Sequence, residues 1–247
     1  MKADAQLQER LLDVQTCDTK LAQLLHRERN LPQAQALAET QRNGERVHDA
    51  IVLARVAASD LATEVARVEA DVQQVRDRMA RDQQLLDSGE IGDPKQLSSL
   101  QHEMTSLERR RSDLEDAELE VMERQEVADQ AVAALQVEEE QLQVQAAALT
   151  SEVEELLAQI AVERAAIEAE RDQLAAAIPG ELLALYEKVR ADHDGVGAAP
   201  LYRGRCEGCR LQLPPQEIEL VKAAAADEVL RCEECRRILV RTAESGL

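Results

Sequence analysis

The sequence predicts a mainly α-helical protein in which a long antiparallel coiled-coil helical hairpin precedes a small C-terminal domain organised by a metal site. Two observations lead to this fold class. Apolar residues recur at alternating steps of three and four from Leu97 to Ala177, and two Cys-x-x-C pairs lie near the C-terminus. The first pattern is typical of coiled-coil helices, and the second is typical of a tetrahedral metal site.

The composition agrees with an elongated helical chain. Its 247 residues include no Phe, no Trp and two Tyr, whereas large aromatic side chains usually dominate globular cores. The net charge is -20, and it is uneven: residues 1–199 hold 21 Lys and Arg against 41 Asp and Glu, and residues 200–247 hold 8 of each kind. The helical part therefore repels phosphate, which argues against nucleic acid as its partner.

The N-terminal sequence and the hydropathy indicate a compartment. The first ten residues, MKADAQLQER, contain no apolar segment of the signal-peptide type, and no apolar run is long enough to cross a bilayer. We therefore expect a cytoplasmic protein with no membrane association.

The first half of the chain predicts two helices in succession. The first helix is expected to begin near Asp4 and to break at Pro32, because proline removes a helical hydrogen bond. A second apolar seam, in a new register, runs from Leu37 to Leu86.

A turn separates this seam from the next one. Gly89 suits the left-handed residue beyond a helix end, and Asp93-Pro94 suits the start of a new helix. A stop followed so closely by a start predicts a tight helical hairpin with its turn at 87–94. The numbers of facing residues in the two antiparallel arms would then sum to about 183.

The helix after the turn carries the strongest pattern in the sequence. Of the 24 seam positions from Leu97 to Ala177, eighteen are apolar, and the spacing never slips. At about 1.5 Å per residue such a helix is roughly 120 Å long. The few polar seam residues, such as Arg111 and Glu118, are expected to set the register between the helices.

These features divide the chain into three segments. Residues 1–178 are the coiled-coil hairpin, residues 179–199 are a short helix and a linker, and residues 200–247 are the metal-binding domain. The short helix has Leu182, Leu185 and Val189 on one face and is expected to fold back on the base of the hairpin. A stretch rich in Gly and Ala, 192–200, is expected to be the linker.

The cysteine spacing predicts one structural zinc ion. The ligands are two pairs separated by 22 residues: Cys206, Cys209, Cys232 and Cys235. Four thiolates complete a tetrahedron and leave no position for water, so the site is structural and not catalytic. Disulfides are disfavoured in the cytoplasm, and duplication of the motif argues against a redox pair. The tail therefore reads as a C4 zinc ribbon, with short strands expected at 211–213 and 238–240 and a helix after Pro214-Pro215.

No catalytic constellation accompanies the zinc site. The sequence has no phosphate-binding glycine loop, no H-E-x-x-H and no G-x-S-x-G motif. Cys17 stands apart from the other cysteines and is expected to be a small buried side chain. We therefore expect that the protein is not an enzyme.

Several short motifs occur together in this sequence. They are Ser88-Gly89-Glu90-Ile91 and Pro94-Lys95-Gln96-Leu97 at the turn, Leu114-Glu115-Asp116 in the arm, and Cys206-Glu207-Gly208-Cys209, Leu213-Pro214-Pro215-Gln216 and Cys232-Glu233-Glu234-Cys235 in the tail. With these motifs the sequence resembles the bacterial C4-type zinc-ribbon family of coiled-coil proteins. The resemblance implies a long helical hairpin with a terminal zinc ribbon. It also implies protein partners in transcription or secretion machinery, since some members act as adaptors that contact a sigma factor or RNA.

The favoured interpretation is a non-enzymatic zinc-binding adaptor or scaffold that binds protein partners through the acidic arm and the ribbon. One alternative is a regulator that binds RNA or DNA through arginines around the ribbon. Those residues are Arg203, Arg205, Arg210, Arg231, Arg236, Arg237 and Arg241. A further alternative is a transcription-machinery factor that acts through the acids of the hairpin tip, Asp87, Glu90 and Asp93.

Overall fold

The structure is a computed structural model that describes all residues, 1–247. The chain forms two compact units: one comprises Met1–Gln35 together with Thr150–Leu247, and the other comprises Ala36–Leu149. In chain order the elements are α1 (Ala5–Arg29), α2 (Pro32–Ser88), α3 (Pro94–Ala176), α4 (Gly180–Asp192), β1 (Ala198–Tyr202), β2 (Arg205–Cys206), α5 (Pro215–Ala223), β3 (Leu230–Arg231) and β4 (Ile238–Val240). None of the helices has a segment that is both long and apolar enough to span a bilayer.

The unit Ala36–Leu149 contains the turn of the predicted hairpin and the parts of its two arms next to that turn. Gly89 adopts a φ of 68°, the left-handed conformation expected beyond the end of α2. The Asp93 carboxylate accepts a hydrogen bond of 2.9 Å from the Lys95 backbone N–H and so caps the start of α3. The turn chemistry read from the sequence is therefore confirmed.

The buried side chains of this unit lie on the predicted apolar seams. From α2 they are Thr40, Ile51, Val65, Val72 and Val75, and from α3 they are Leu107 and Val121. Burial of this narrow stripe, with both outer faces left to solvent, is what a 3-4 repeat produces in two paired helices.

Ion pairs between α2 and α3 report the register of the hairpin. Near the tip, Arg78 contacts Glu103, which agrees with the sum of about 183 to within two residues. Further along, His48 Nδ1 lies 2.9 Å from Glu139 Oε1, about one turn beyond the position that this sum predicts. The numbers of two further pairs, Arg76 with Glu115 and Glu64 with Arg124, sum to 191 and 188. The register of most of the hairpin is therefore shifted by a few residues beyond the predicted sum.

The unit Met1–Gln35 with Thr150–Leu247 combines helices with a small sheet. The break at Pro32 is confirmed, since α1 ends at Arg29 and α2 begins at Pro32. The sheet order is β2-β1-β4-β3, with β1 parallel to β4 and the other pairs antiparallel.

Two local expectations are wrong. The linker expected over 192–200 ends early, because Ala198–Pro200 pair with Ile238–Val240 as part of β1. The strand expected over 211–213 is only a single bridge, between Gln212 and Arg205. The sequence did not predict β1, because Ala and Pro have low β-propensity. The strand that pairs with β1 in parallel lies 40 residues away in sequence (Ala198 with Ile238).

The sheet separates two buried clusters on its two faces. One face contributes Ala198, Ile238 and Val240 to a cluster with Leu11 and Val14 of α1, Ile178 of the connection between α3 and α4, and Leu182, Tyr186 and Val189 of α4. The other face contributes Ala199, Leu201 and Leu239 to a cluster with Leu213, Val221 and two cysteines, Cys206 and Cys232. This alternation follows the two-residue period of strands. The ribbon is therefore packed against the helices and shares their core.

Candidate metal centre

The two Cys-x-x-C segments have the same backbone geometry. In the first, the Arg210 N–H donates to the Cys206 carbonyl (2.7 Å) and the Cys206 N–H donates to the Leu211 carbonyl (3.0 Å). In the second, the Arg236 N–H donates to the Cys232 carbonyl (2.8 Å) and the Cys232 N–H donates to the Arg237 carbonyl (3.0 Å). Each segment thus folds into a closed turn that presents both of its thiols on one side.

This turn requires a left-handed residue directly after the second cysteine. Arg210 has a φ of 61° and Arg236 a φ of 58°, although neither residue is glycine. The conformation costs a residue with a side chain about 1–2 kcal/mol, so other interactions of the turn must stabilise it.

The four sulfur atoms lie together. All of them are within 4.8 Å of one another, the Cys206 and Cys235 Sγ atoms are 3.8 Å apart, and the Cys209 and Cys232 Sγ atoms are 3.9 Å apart. Zinc–sulfur bonds of about 2.3 Å in a tetrahedron require sulfur–sulfur distances of about 3.8 Å. The cluster therefore has the dimensions of a four-thiolate zinc site.

The surroundings of the sulfur atoms affect their ionisation. Burial raises the pKa of the Cys206 thiol, although the backbone N–H groups of Cys209 and Gly208 act in the opposite direction. Burial likewise raises the pKa of Cys232 to about 11. Burial also acts to raise the pKa of Cys235, but the Arg237 backbone N–H and hydrogen bonding with Cys232 outweigh it and lower that pKa. Such buried thiols suit a cation that compensates their charge once they lose their protons.

The donor set also fits zinc in its chemistry. Thiolate sulfur is a soft ligand that zinc binds well, and four such donors leave no open coordination position. An ion bound by these cysteines would stabilise the turns that hold it and would offer no site for water or substrate.

Two of the seven predicted nucleic-acid-binding arginines contact backbone carbonyls in the ribbon or in the connection between α4 and β1. The guanidinium of Arg237 donates to the carbonyls of Val196, Gly208 and His193 at 3.1–3.2 Å. The guanidinium of Arg241 donates to the Ala224 carbonyl at 2.8 Å, just beyond α5, and to four neighbouring carbonyls. The hydrogen bonds of these two side chains stabilise the backbone segments that they connect.

The other five arginines are exposed around the turns. The Arg205 guanidinium pairs with the Glu207 carboxylate, and the Arg203 guanidinium lies 5.3 Å from the centre of the Tyr202 ring. Arg231 donates to the carbonyl of Arg236. The side chains of Arg210 and Arg236 make no hydrogen bond or ion pair, and they occupy equivalent places in the two turns.

The tip acids are exposed, but two of them have local roles. Asp93 caps α3, and Asp87 accepts a hydrogen bond of 2.9 Å from the Gln83 side chain.

Sequence reasoning missed a buried polar network that joins α1, α3, α4 and the entry to β1. Asp18 is 2% exposed, and its carboxylate accepts from Arg171 Nε (2.7 Å), Tyr186 Oη (2.6 Å) and Arg190 (3.1 Å). The Gln15 side-chain oxygen accepts from the Gly197 N–H at 2.7 Å, at the entry to β1. The one available signal was that Asp18 interrupts the apolar seam of the first helix. Cys17, as expected, is buried.

Comparisons with known proteins agree with this architecture. The family model of the CT398-like coiled coil hairpin domain matches residues 14–194, and that of the C4-type zinc ribbon domain matches residues 205–239. The uncharacterized protein Rv2229c of Mycobacterium tuberculosis (strain ATCC 25618 / H37Rv) is 40% identical over 241 residues, which cover 98% of each chain. The uncharacterized protein ML1638 of Mycobacterium leprae (strain TN) is 33% identical over 219 residues, 88% of this chain and 93% of that protein.

Two solved structures have the same fold. A structure from Mycobacterium smegmatis has a TM-score of 0.84 at 35% identity and covers 98% of this chain and 100% of its own. The structure of CT398 from Chlamydia trachomatis has a TM-score of 0.69 at 21% identity, with 96% and 98% covered.

The fold and the clustered thiols together define a class, the coiled-coil hairpin proteins with a C4-type zinc ribbon. The match over residues 14–194 then gives the family: the chain belongs to the CT398-like coiled-coil hairpin family.

Proposed function

We propose that this protein is a non-enzymatic, cytoplasmic adaptor that holds one structural zinc ion on Cys206, Cys209, Cys232 and Cys235. The observation that supports the proposal most directly is the set of four thiols within 4.8 Å of one another, which would fill every coordination position of a tetrahedral ion. Both matched domain types are non-catalytic, and the acidic helices offer a long surface for protein partners.

Photo-crosslinking with the full chain tests the adaptor role. A photoreactive residue is placed at one exposed position in each region: Leu53 on α2, Val137 on α3, and Leu220 on α5 of the ribbon. An adaptor should give discrete protein adducts in the native cytoplasm from at least one of these positions. If none gives a protein adduct above an irradiated control without the photoreactive residue, the proposal is wrong.

A second candidate function, nucleic-acid binding by the ribbon, has one observation in its favour. Arg210 and Arg236 are exposed, lack partners and lie at equivalent places in the two turns. They are better test positions than Arg237, whose guanidinium bonds to the backbone. Because phosphate contacts release counterions, RNA affinity should then fall steeply with salt, and the Arg210→Gln/Arg236→Gln variant should bind more weakly with a shallower salt slope. We expect no binding of single-stranded RNA by the full chain at physiological salt.

A further inference from the structure

The middle of α3 carries a second seam on the side that faces away from α2. It starts at Val127 and keeps the alternating three- and four-residue spacing of a coiled coil. The positions of this outward seam are Val127, Gln130, Ala134, Val137, Gln141, Val144 and Ala148.

Every member of the outward seam is exposed, in contrast to the seam that faces α2. Val127 is 67% exposed, Val137 is 55% exposed and Val144 is 66% exposed. On the inner seam at the same level, Val132 and Leu135 are partly buried. The outward seam is therefore a coiled-coil stripe, about 32 Å long, that no element of this chain covers.

The outward seam contains no charge, but its borders are strongly acidic. Between residues 126 and 148 the chain has five acidic residues and no Lys or Arg. Glu126, Glu138 and Glu140 occupy positions directly beside the seam in the heptad. An occupant must match both the apolar centre and the negative rims.

These features select the kind of partner. The regular spacing fits another helix, because only a helix places side chains at a matching 3.5-residue interval. A second copy of the chain would bring acidic rims together, and each copy carries a net charge of -20. A helix with Lys or Arg beside a narrow apolar stripe would pair with the rims and fill the seam.

We propose that the outward seam of α3 is a docking surface for a basic amphipathic helix of a protein partner, which adds a third helix to the hairpin. The proposal rests on the adaptor function and identifies the surface and the chemistry through which it would act. The Val and Ala side chains on the seam are small, so the partner helix can approach closely while its basic residues reach the glutamates on either side.

The test uses the full chain and two designed helical peptides of about three heptads. Both peptides have Leu at the seam positions; one has Lys at the flanking positions and the other has Glu, so each peptide repels its own copies. Binding is measured by fluorescence anisotropy at two salt concentrations. The matched variants are Val137→Gln/Val144→Gln on the outward seam and Val52→Gln/Val56→Gln on the exposed face of α2, where both valines are also exposed. Circular dichroism checks that both variants remain helical.

The proposal predicts that the lysine peptide binds, that salt weakens the binding, and that Val137→Gln/Val144→Gln weakens it at least tenfold while Val52→Gln/Val56→Gln does not. It is overturned if the lysine peptide does not bind, if the two variants behave alike, or if the glutamate peptide binds equally well. Self-association of the chain that Val137→Gln/Val144→Gln abolishes would also overturn it, in favour of a second copy. Protein adducts from Leu53 or Leu220 but none from Val137 would leave the adaptor function standing and contradict this surface.

Discussion

At the scale of single residues, Asp18 connects three helices of one unit. Its carboxylate belongs to α1, Arg171 belongs to α3, and Tyr186 and Arg190 belong to α4. A buried carboxylate is costly without partners, and here both oxygens are satisfied. Glu187 contacts Arg171 and Arg190 from the solvent side and completes the network.

Replacing Asp18 by Asn should destabilise this unit strongly. The substitution keeps the volume of the side chain but leaves Arg171, whose side chain is 18% exposed, without its buried counter-charge. Removal of one member of such a pair costs about 3–5 kcal/mol. Denaturant unfolding followed by circular dichroism measures the change. The control is Glu187→Gln, whose 40% exposed side chain should contribute under about 1 kcal/mol. Equal effects of the two variants would contradict this account of Asp18.

The buried phenol of Tyr186 should make the stability of the protein fall at high pH. Burial, followed by the hydrogen bond to Asp18, raises the pKa of Tyr186 well above its ordinary value. The unfolded phenol ionises near pH 10 while the folded one stays protonated, so the stability from this group is complete below about pH 10 and is lost as the pH rises further.

A single-tyrosine variant gives this prediction a direct measurement. The chain has two Tyr and no Trp, so Tyr202→Phe leaves Tyr186 as the only chromophore of its kind. Tyrosinate absorbance should appear in this variant only when the chain unfolds at alkaline pH, as monitored by circular dichroism. Ionisation of Tyr186 near pH 10 in a chain that is still fully helical would contradict the buried, hydrogen-bonded position.

At the residue scale, sequence reasoning worked where the information is local. The four cysteines could be predicted as metal ligands because their spacing alone indicates a metal site. The partners of Asp18 could not be predicted, because Arg171 lies 153 residues away in sequence and becomes a neighbour only after the helices pack. The carbonyl contacts of Arg237 and Arg241 likewise depend on the folded ribbon, so the sequence offered these two side chains as surface cations.

At the scale of elements, helix α2 contains a glycine that packing does not explain. Gly44 lies in the helix interior, and an added Cβ would meet no atom within 4 Å. Gly197 lies at the entry to β1, and there an added Cβ would lie 2.7 Å from the Tyr186 carbonyl oxygen and 2.8 Å from its ring. We therefore expect that substitution by Ala changes the stability in opposite directions at the two glycines.

Gly44→Ala should stabilise the chain by about 0.5–1 kcal/mol, because alanine restricts the unfolded chain and favours helix. Gly197→Ala should destabilise it by about 1–3 kcal/mol, because the methyl group must displace backbone or a fully buried ring. Denaturation midpoints of the two variants provide the comparison. A stabilising effect of Gly197→Ala would mean that β1 does not approach Tyr186 as closely as described.

Elements with strong periodicity were predicted well, and the short strands were not. The turn, the break at Pro32 and both long seams follow from local chemistry, namely Gly at a helix end, Asp and Pro at a helix start, and the 3-4 repeat. Strand β1 is different, because its small residues lack β-propensity and pair in parallel with distant β4. Tertiary pairing, and not intrinsic preference, determines this part of the sheet.

At the scale of the whole molecule, the metal centre and the helices α1 and α4 belong to one folding unit. The two faces of the small sheet contact the thiol cluster and the helices respectively, so loss of the ion should disturb more than the tail. The boundary drawn from the sequence at 199 lies inside strand β1, and the boundary at 178 lies between α3 and α4. Residues on both sides of 178 pack in the same buried cluster, so the three predicted segments do not have three separate cores.

Loss of the metal ion should reduce the protection of backbone amides from hydrogen exchange on both faces of the sheet. In Cys232→Ser, hydrogen exchange should quicken in β1, β4 and α4, because zinc binding supplies about 10–16 kcal/mol of folding free energy in small sites. Residues 51–75 of α2, in the other unit, serve as an internal reference. Cys17→Ser is the matched control, since Cys17 is a buried thiol outside the cluster and should leave zinc content unchanged. Unchanged exchange in α4 would contradict the shared core.

The most direct test of the central claim is X-ray absorption spectroscopy at the zinc edge on the freshly purified full chain, combined with metal analysis. A closed structural centre made by Cys206, Cys209, Cys232 and Cys235 predicts one zinc ion per chain with four sulfur neighbours at about 2.3 Å and no lighter atom in the first shell. Absence of zinc, or a first shell that contains an oxygen or nitrogen ligand, would contradict the account of a saturated, non-catalytic site.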